Sequence, residues 1–201
     1  MPAPSPISRF RSRAFSLVEL LVVVAVIAVL FTLTLLAIGN LGQSRRLTVA
    51  GNLTVDLINH ARQVAKSRNT LTLVALIDSG ADSGRALATF AYAATHGAAG
   101  AWSQLDPWST LPEGIEVDLA ASAQFFQATP PVSVPHPSSF TRGGQTVTCA
   151  TAIFLPDGRT VNPSTAPQVI ILRGAESPAD APNFYKIIIN QATGIPTIRR
   201  P

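Results

Sequence analysis

A single acid, Glu19, stands between Arg9, Arg11 and Arg13 and a run without charge that lasts until Arg45. A carboxylate at the edge of an apolar helix costs on the order of 2 kcal/mol or more unless it snorkels or meets a cation. Cutting the chain between Ala14 and Phe15 would expose an α-amino cation four residues from Glu19. In a packed array, that amine on one subunit can neutralise Glu19 on its neighbour, and a low dielectric makes the pairing strong and selective for register. The chemistry readable at this end is therefore processing followed by charge pairing. In a plain membrane anchor Glu19 would be incidental.

Elsewhere the chemistry-bearing residues do not converge. His60, His96 and His136 lie far apart, without the close His or Cys pairs of metal sites, and each reads as a surface or loop histidine. Asp78 and Asp82 in "IDSGADSG" could offer oxygens to Ca²⁺, but the run lacks the EF-hand spacing and reads as a solvated hairpin loop. "HGAAG" at residues 96–100 carries glycines but no phosphate-binding spacing, and no G-x-S-x-G elbow occurs. Cys149 is the only cysteine, so no internal disulfide forms, and it reads as a small buried apolar residue. Trp102 and Trp108 read as closing the edge of the core, with an adhesive surface as the alternative. No catalytic residue, metal site or cofactor is expected.

The elements that must position Glu19 begin with the apolar run. Leu20 to Ile38 is broken only by Thr32 and Thr34, and its 19 residues would span roughly 28 Å, close to the ~30 Å hydrocarbon core. Its core is too long for a conventional secretory signal. Arginines ahead of it and none just behind leave the N-terminus in the cytoplasm and the remainder outside. The formal charge of +4 partly belongs to this leader. Without residues 1–14, 12 basic groups face 11 acids, a net of +1. That balance argues against nucleic acid as a partner, despite Arg142, Arg199 and Arg200.

"AFSLVELLVVVAVIAVL" resembles the prepilin-type cleavage and methylation segment of type IV pilins and type II secretion pseudopilins. Phe15, Ser16, Leu17, Val18 and Glu19 match that pattern, with Ala14 where the family usually has Gly. The resemblance implies cleavage after Ala14 by a prepilin peptidase, N-methylation of Phe15 by the same enzyme, and an assembly role for Glu19. It also implies partners among other pilin-like subunits and assembly-platform proteins, and residence in a bacterial inner membrane.

Beyond the span, Leu47, Ala50, Thr54, Leu57, Ala61 and Val64 recur at three- and four-residue steps, which predicts a helix running from Phe15 to Arg68. Glycines at 39, 42 and 51 weaken it, and a kink or meltable region is expected near Gly39 to Gly42. From Thr70 the period changes to short β-prone runs, "TLTLVALI", "ALATFAYAA", "GIEVDL", "TVTCATAIFL", "QVIIL" and "YKIIIN", and the last opens a hairpin turning near Thr193 and Gly194. The expected fold is α+β and pilin-like: a long N-terminal helix, transmembrane in its first half, packed on an antiparallel sheet. Expected boundaries are a leader at 1–14, a transmembrane and filament-core helix at 15–38, its continuation at 39–69, and a head at 70–201 with a proline-rich surface loop at 120–145. Through "WSTLPEGIEVDL", "AIFLPDGRT" and the closing "IIINQATGIPTIRR" the head diffusely resembles minor pseudopilins of the GspH type, and through its proline-rich loop and closing "RRP" it is similar to the Verru_Chthon cassette protein D family. The rival reading is a signal-anchored envelope domain that binds a ligand or partner without polymerising.

Overall fold

The computed structural model describes residues 16–93, 100–126, 137–161, 167–175, 177 and 183–199, with side chains described except at 33–41. The chain divides into two compact units, Met1–Leu41 and Gly42–Pro201. Helix α1 is assigned from Leu17 to Arg68 and continues through Gly39 and Gly42, where a kink was expected; the division between units falls in that same segment. Its C-terminus is set by Asn69, whose φ of 48° places it in the left-handed region, while the Thr70 N–H returns to the Ala65 carbonyl at 3.1 Å. Asn is one of the few residues that adopts this closing conformation at modest cost, and Lys66 and Arg68 complement the helix dipole in the last turn.

The expected transmembrane span is not recovered as such. Among the described residues no helix is long and apolar enough to cross a membrane. Side-chain description stops at Thr32 and resumes at Gly42. Residues 17–32 alone would cover about 24 Å, short of the ~30 Å core.

The second unit is an α+β domain. In chain order its strands are β1 (Thr72–Ile77), β2 (Ala86–Ala93), β3 (Ala101–Gln104), β4 (Ser109–Thr110), β5 (Ile115–Val117), β6 (Ser139–Arg142), β7 (Gln145–Phe154), β8 (Gln168–Gly174), β9 (Tyr185–Ile189) and β10 (Pro196–Arg199). They form two antiparallel sheets where one was expected: β3-β2-β1-β7-β6, with β4 also on β2, and β10-β9-β8-β5. The two sheets differ in burial. β1 is buried at all six positions because the first sheet is covered on both faces, whereas β8 and β9 alternate buried and half-buried.

One side of the first sheet joins α1 and the second sheet in a core that includes Leu47, Ile58, Ala61, Val74, Leu87, Phe154, Ile170 and Ile187. All six residues of the expected helical stripe, Leu47 through Val64, are buried. The opposite side of the sheet packs a second cluster around Leu73, Ile77, Phe90, Phe140 and Cys149. The Phe90 and Phe140 rings stack at 4.0 Å between centroids, and Trp108 meets Phe90 edge-on at 6.1 Å. Trp108 and Trp102 are packed against this cluster, so the core-edge reading of the two tryptophans stands.

Of the expected surface loop at 120–145, residues 127–136 lie outside the described residues, and parts of the remainder are built into the fold. Phe125 and Phe126 enter the main core, and Ser139–Arg142 forms β6. Asp118 N–H bonds the Ile171 carbonyl and Ile171 N–H bonds Ser122 Oγ, which pins this segment to β8 and leads the two phenylalanines inward. The C-terminal hairpin turns at Thr193 and Gly194 as expected: Gly194 has φ of 66°, and its N–H reaches the Asn190 carbonyl at 2.6 Å.

Candidate functional site

Each unit presents its own candidate surface. In the first, Ser16 opens α1. Its Oγ accepts the Val18 N–H at 3.3 Å and its carbonyl accepts the Leu20 N–H at 3.1 Å, the position of an N-cap. Glu19 then stands three residues on, the S-x-x-E spacing of a capping box, in the first turn where the helix dipole favours an acid. This local compensation was readable in "SLVE", whose residues the prepilin-type pattern shares. Glu19 is exposed and has no ion-pair partner among the described residues. Ala14 and Phe15, the expected processing pair, lie outside the described residues, as does the expected leader.

Apart from Glu19, the helix from Leu17 to Phe31 is apolar on every side. Leu17 is 80% exposed, Val18 69%, Leu21 63%, Val29 60% and Phe31 65%. A surface helix of a soluble domain shows one apolar stripe, and one that is apolar all round belongs in lipid or inside a packed assembly. Of the expected span ends, Leu20 is 60% exposed, and the Ile38 side chain is not among those described.

In the second unit, α1 and the segment between β3 and β4 frame a groove of about 710 Å³. Val49, Leu53 and Leu57 give it apolar walls, with Asp56, His60 and Asp106 at its rim. His60 Nδ1 lies 2.6 Å from Asp106 Oδ2, and the same oxygen accepts the Thr89 hydroxyl at 2.6 Å. His60 is a part-exposed helix residue, within the surface reading expected for it, and Asp106 anchors it; no local pattern marks a partner 46 positions away. His96 and His136 lie outside the described residues.

The hairpin aspartates behave as solvated loop residues, with Asp82 ion-paired to Arg142. Arg142 also lies over the Trp108 ring, 6.0 Å from its centroid. Among the described residues no group of three His, Cys, Asp or Glu side chains is placed to hold a metal ion. Cys149 is buried, and desolvation, aided by the charge of Asp78, pushes its thiol up to about 12. It is a poor nucleophile in the folded chain.

Comparison with known proteins places the strongest signal at the N-terminus. Residues 9–38 match the family described as "Prokaryotic N-terminal methylation motif". The chain therefore carries the prepilin-type motif over the stretch that contains Glu19. No curated protein matches the sequence. Among solved structures, the chain is similar to the minor pseudopilin EpsH of the Type 2 Secretion System of Vibrio cholerae, at 13% identity over 78% of this chain and 98% of that one, with a TM-score of 0.47. A second EpsH structure gives 12% identity, coverage of 79% and 96%, and a TM-score of 0.49. The type IV minor pilin FimU of Pseudomonas aeruginosa gives 14% identity, 77% and 89% coverage, and 0.48. At these identities and scores the likeness is coarse.

Proposed function

We propose that this chain is a pseudopilin or minor pilin-like subunit of a type II secretion or type IV pilus-like filament, with no enzymatic role of its own. A prepilin peptidase cuts it after Ala14 and methylates the amine of Phe15. The apolar helix then holds it in a bacterial inner membrane as a single pass, with the head outside, until an assembly platform draws it into a filament beside other pilin-like subunits. There the helix exchanges lipid for helix packing, and Glu19 pairs with the Phe15 amine of a neighbour. The observation that carries this reading is the helix from Leu17 to Phe31, apolar and exposed on every side, headed by one acid inside a matched N-terminal methylation motif.

The Ser16 cap favours a second reading, in which Glu19 serves only its own helix and the chain is a signal-anchored envelope domain. Glu19→Gln separates the two, because Gln still completes a capping box but carries no charge. The filament role predicts that Glu19→Gln and Glu19→Leu both insert and are cut normally, yet neither is recovered in sheared filaments. Normal recovery of Glu19→Gln would leave the cap as the function of Glu19 and favour the anchored domain.

A further inference from the structure

Asp56 and Lys66 are opposite charges on the solvent side of α1, and neither has an ion-pair partner among the described residues. Ten residues separate them, which is about 15 Å along the axis and about a quarter turn around it. Asp56 sits on the apolar groove described above, beside Val49, which is 56% exposed. Lys66 stands with Arg62 at a second cavity of about 540 Å³ on the other flank of the helix. Arg62 is already fixed, since its Nε donates to the Thr193 carbonyl at 2.5 Å, while the Lys66 stem lies against Gly158. The basic flank is therefore held in place by the head and does not swing freely.

We infer that the acid-rimmed groove at Asp56 receives the basic flank at Lys66 and Arg62 of a second copy of this chain. The two surfaces differ in shape and in sign, so the contact is heterologous: one copy's groove meets the other's flank, and both copies keep a free complementary surface. Repeating such a contact gives a ring or an open helix. The axial offset of about 15 Å between the charges sets adjacent copies out of step along the helix axis, which disfavours closure. The apolar groove walls add area to an exposed ion pair that is weak alone and screened by salt. This inference rests on the proposed filament role, which brings helices of neighbouring copies side by side.

The test is disulfide cross-linking in native membranes between full-length chains carrying Asp56→Cys and Lys66→Cys, with Cys149→Ala in both. The inference expects the mixed pair to form dimers well above either variant alone. In cysteine-free backgrounds, Asp56→Lys or Lys66→Asp would lower copy-to-copy association about fivefold, the upper end for one exposed pair, with recovery in the doubly reversed chain. Dimers from Asp56→Cys alone would show a symmetric contact and overturn it, as would cross-links only to a different protein. Absence of the mixed dimer in chains still recovered in sheared filaments overturns the docking contact and leaves the filament role standing. Absence of both overturns both.

Discussion

Gly51 of α1 faces the ring of Tyr185 so closely that a Cβ on it would stand 2.2 Å from Cε1. This is where the helix meets the second sheet, and the Tyr185 hydroxyl reaches Asn52 Oδ1 at 3.1 Å beside it. The glycine that weakens the isolated helix is therefore what lets helix and sheet close. Gly51→Ala should destabilise the second unit by about 1–3 kcal/mol, since the ring cannot retreat from a buried site without strain. Thermal unfolding of the detergent-solubilised chain checks this, and a gain in stability, as helix propensity alone would give, would contradict it.

Arg173 and Asp118 form an ion pair in which both side chains are only 13% exposed. Asp118 also accepts the Ala121 N–H at 3.1 Å, so it orders the turn that carries Phe125 and Phe126 into the core. Arg173→Leu should cost about 3 kcal/mol by stranding the carboxylate, whereas Arg173→Leu with Asp118→Asn should cost clearly less. Urea midpoints of the single and double variants measure the difference.

Cys149 provides a pH test. Burial first, and the Asp78 charge second, raise its thiol from 9.0 to about 12 in the folded chain. Below pH 9 the thiol is protonated in both states and its contribution is intact; between pH 9 and 12 the unfolded chain sheds the proton first, so this part of the stability is lost as pH rises. Cys149→Ala should remove that share of the alkaline decline, measured as the difference between the two urea-midpoint profiles. Native wild type should also resist thiol reagents at pH 8 and react once unfolded.

Ser16→Ala should remove the cap on Val18 and loosen the first turn of α1 by about 1 kcal/mol. Amide exchange at Val18 and Leu20 in detergent should rise severalfold, while the rest of the helix keeps its protection.

Much of the local architecture was legible because it has a period. The stripe from Leu47 to Val64 marked the helix face that is buried, and Gly194 marked the last turn. What escaped was set by distance in sequence. β1 pairs with β7, bringing Ile77 opposite Cys149, and no local pattern announces that or the division into two sheets. β3, β4 and β6 escaped because they are short, largely exposed strands whose register comes from their neighbours. At the N-terminus the reverse holds: Glu19 and its apolar run were visible at once, whereas the cap in "SLVE" was overshadowed by the assembly pattern sharing its residues.

Intact-mass analysis of the chain purified from its native membrane tests the central claim most directly. The account predicts a polypeptide beginning at Phe15 and carrying one added methyl group. A chain that still holds Met1 to Ala14, or one cut near Gly39, would contradict it and leave the anchored or secreted binding domain as the better reading.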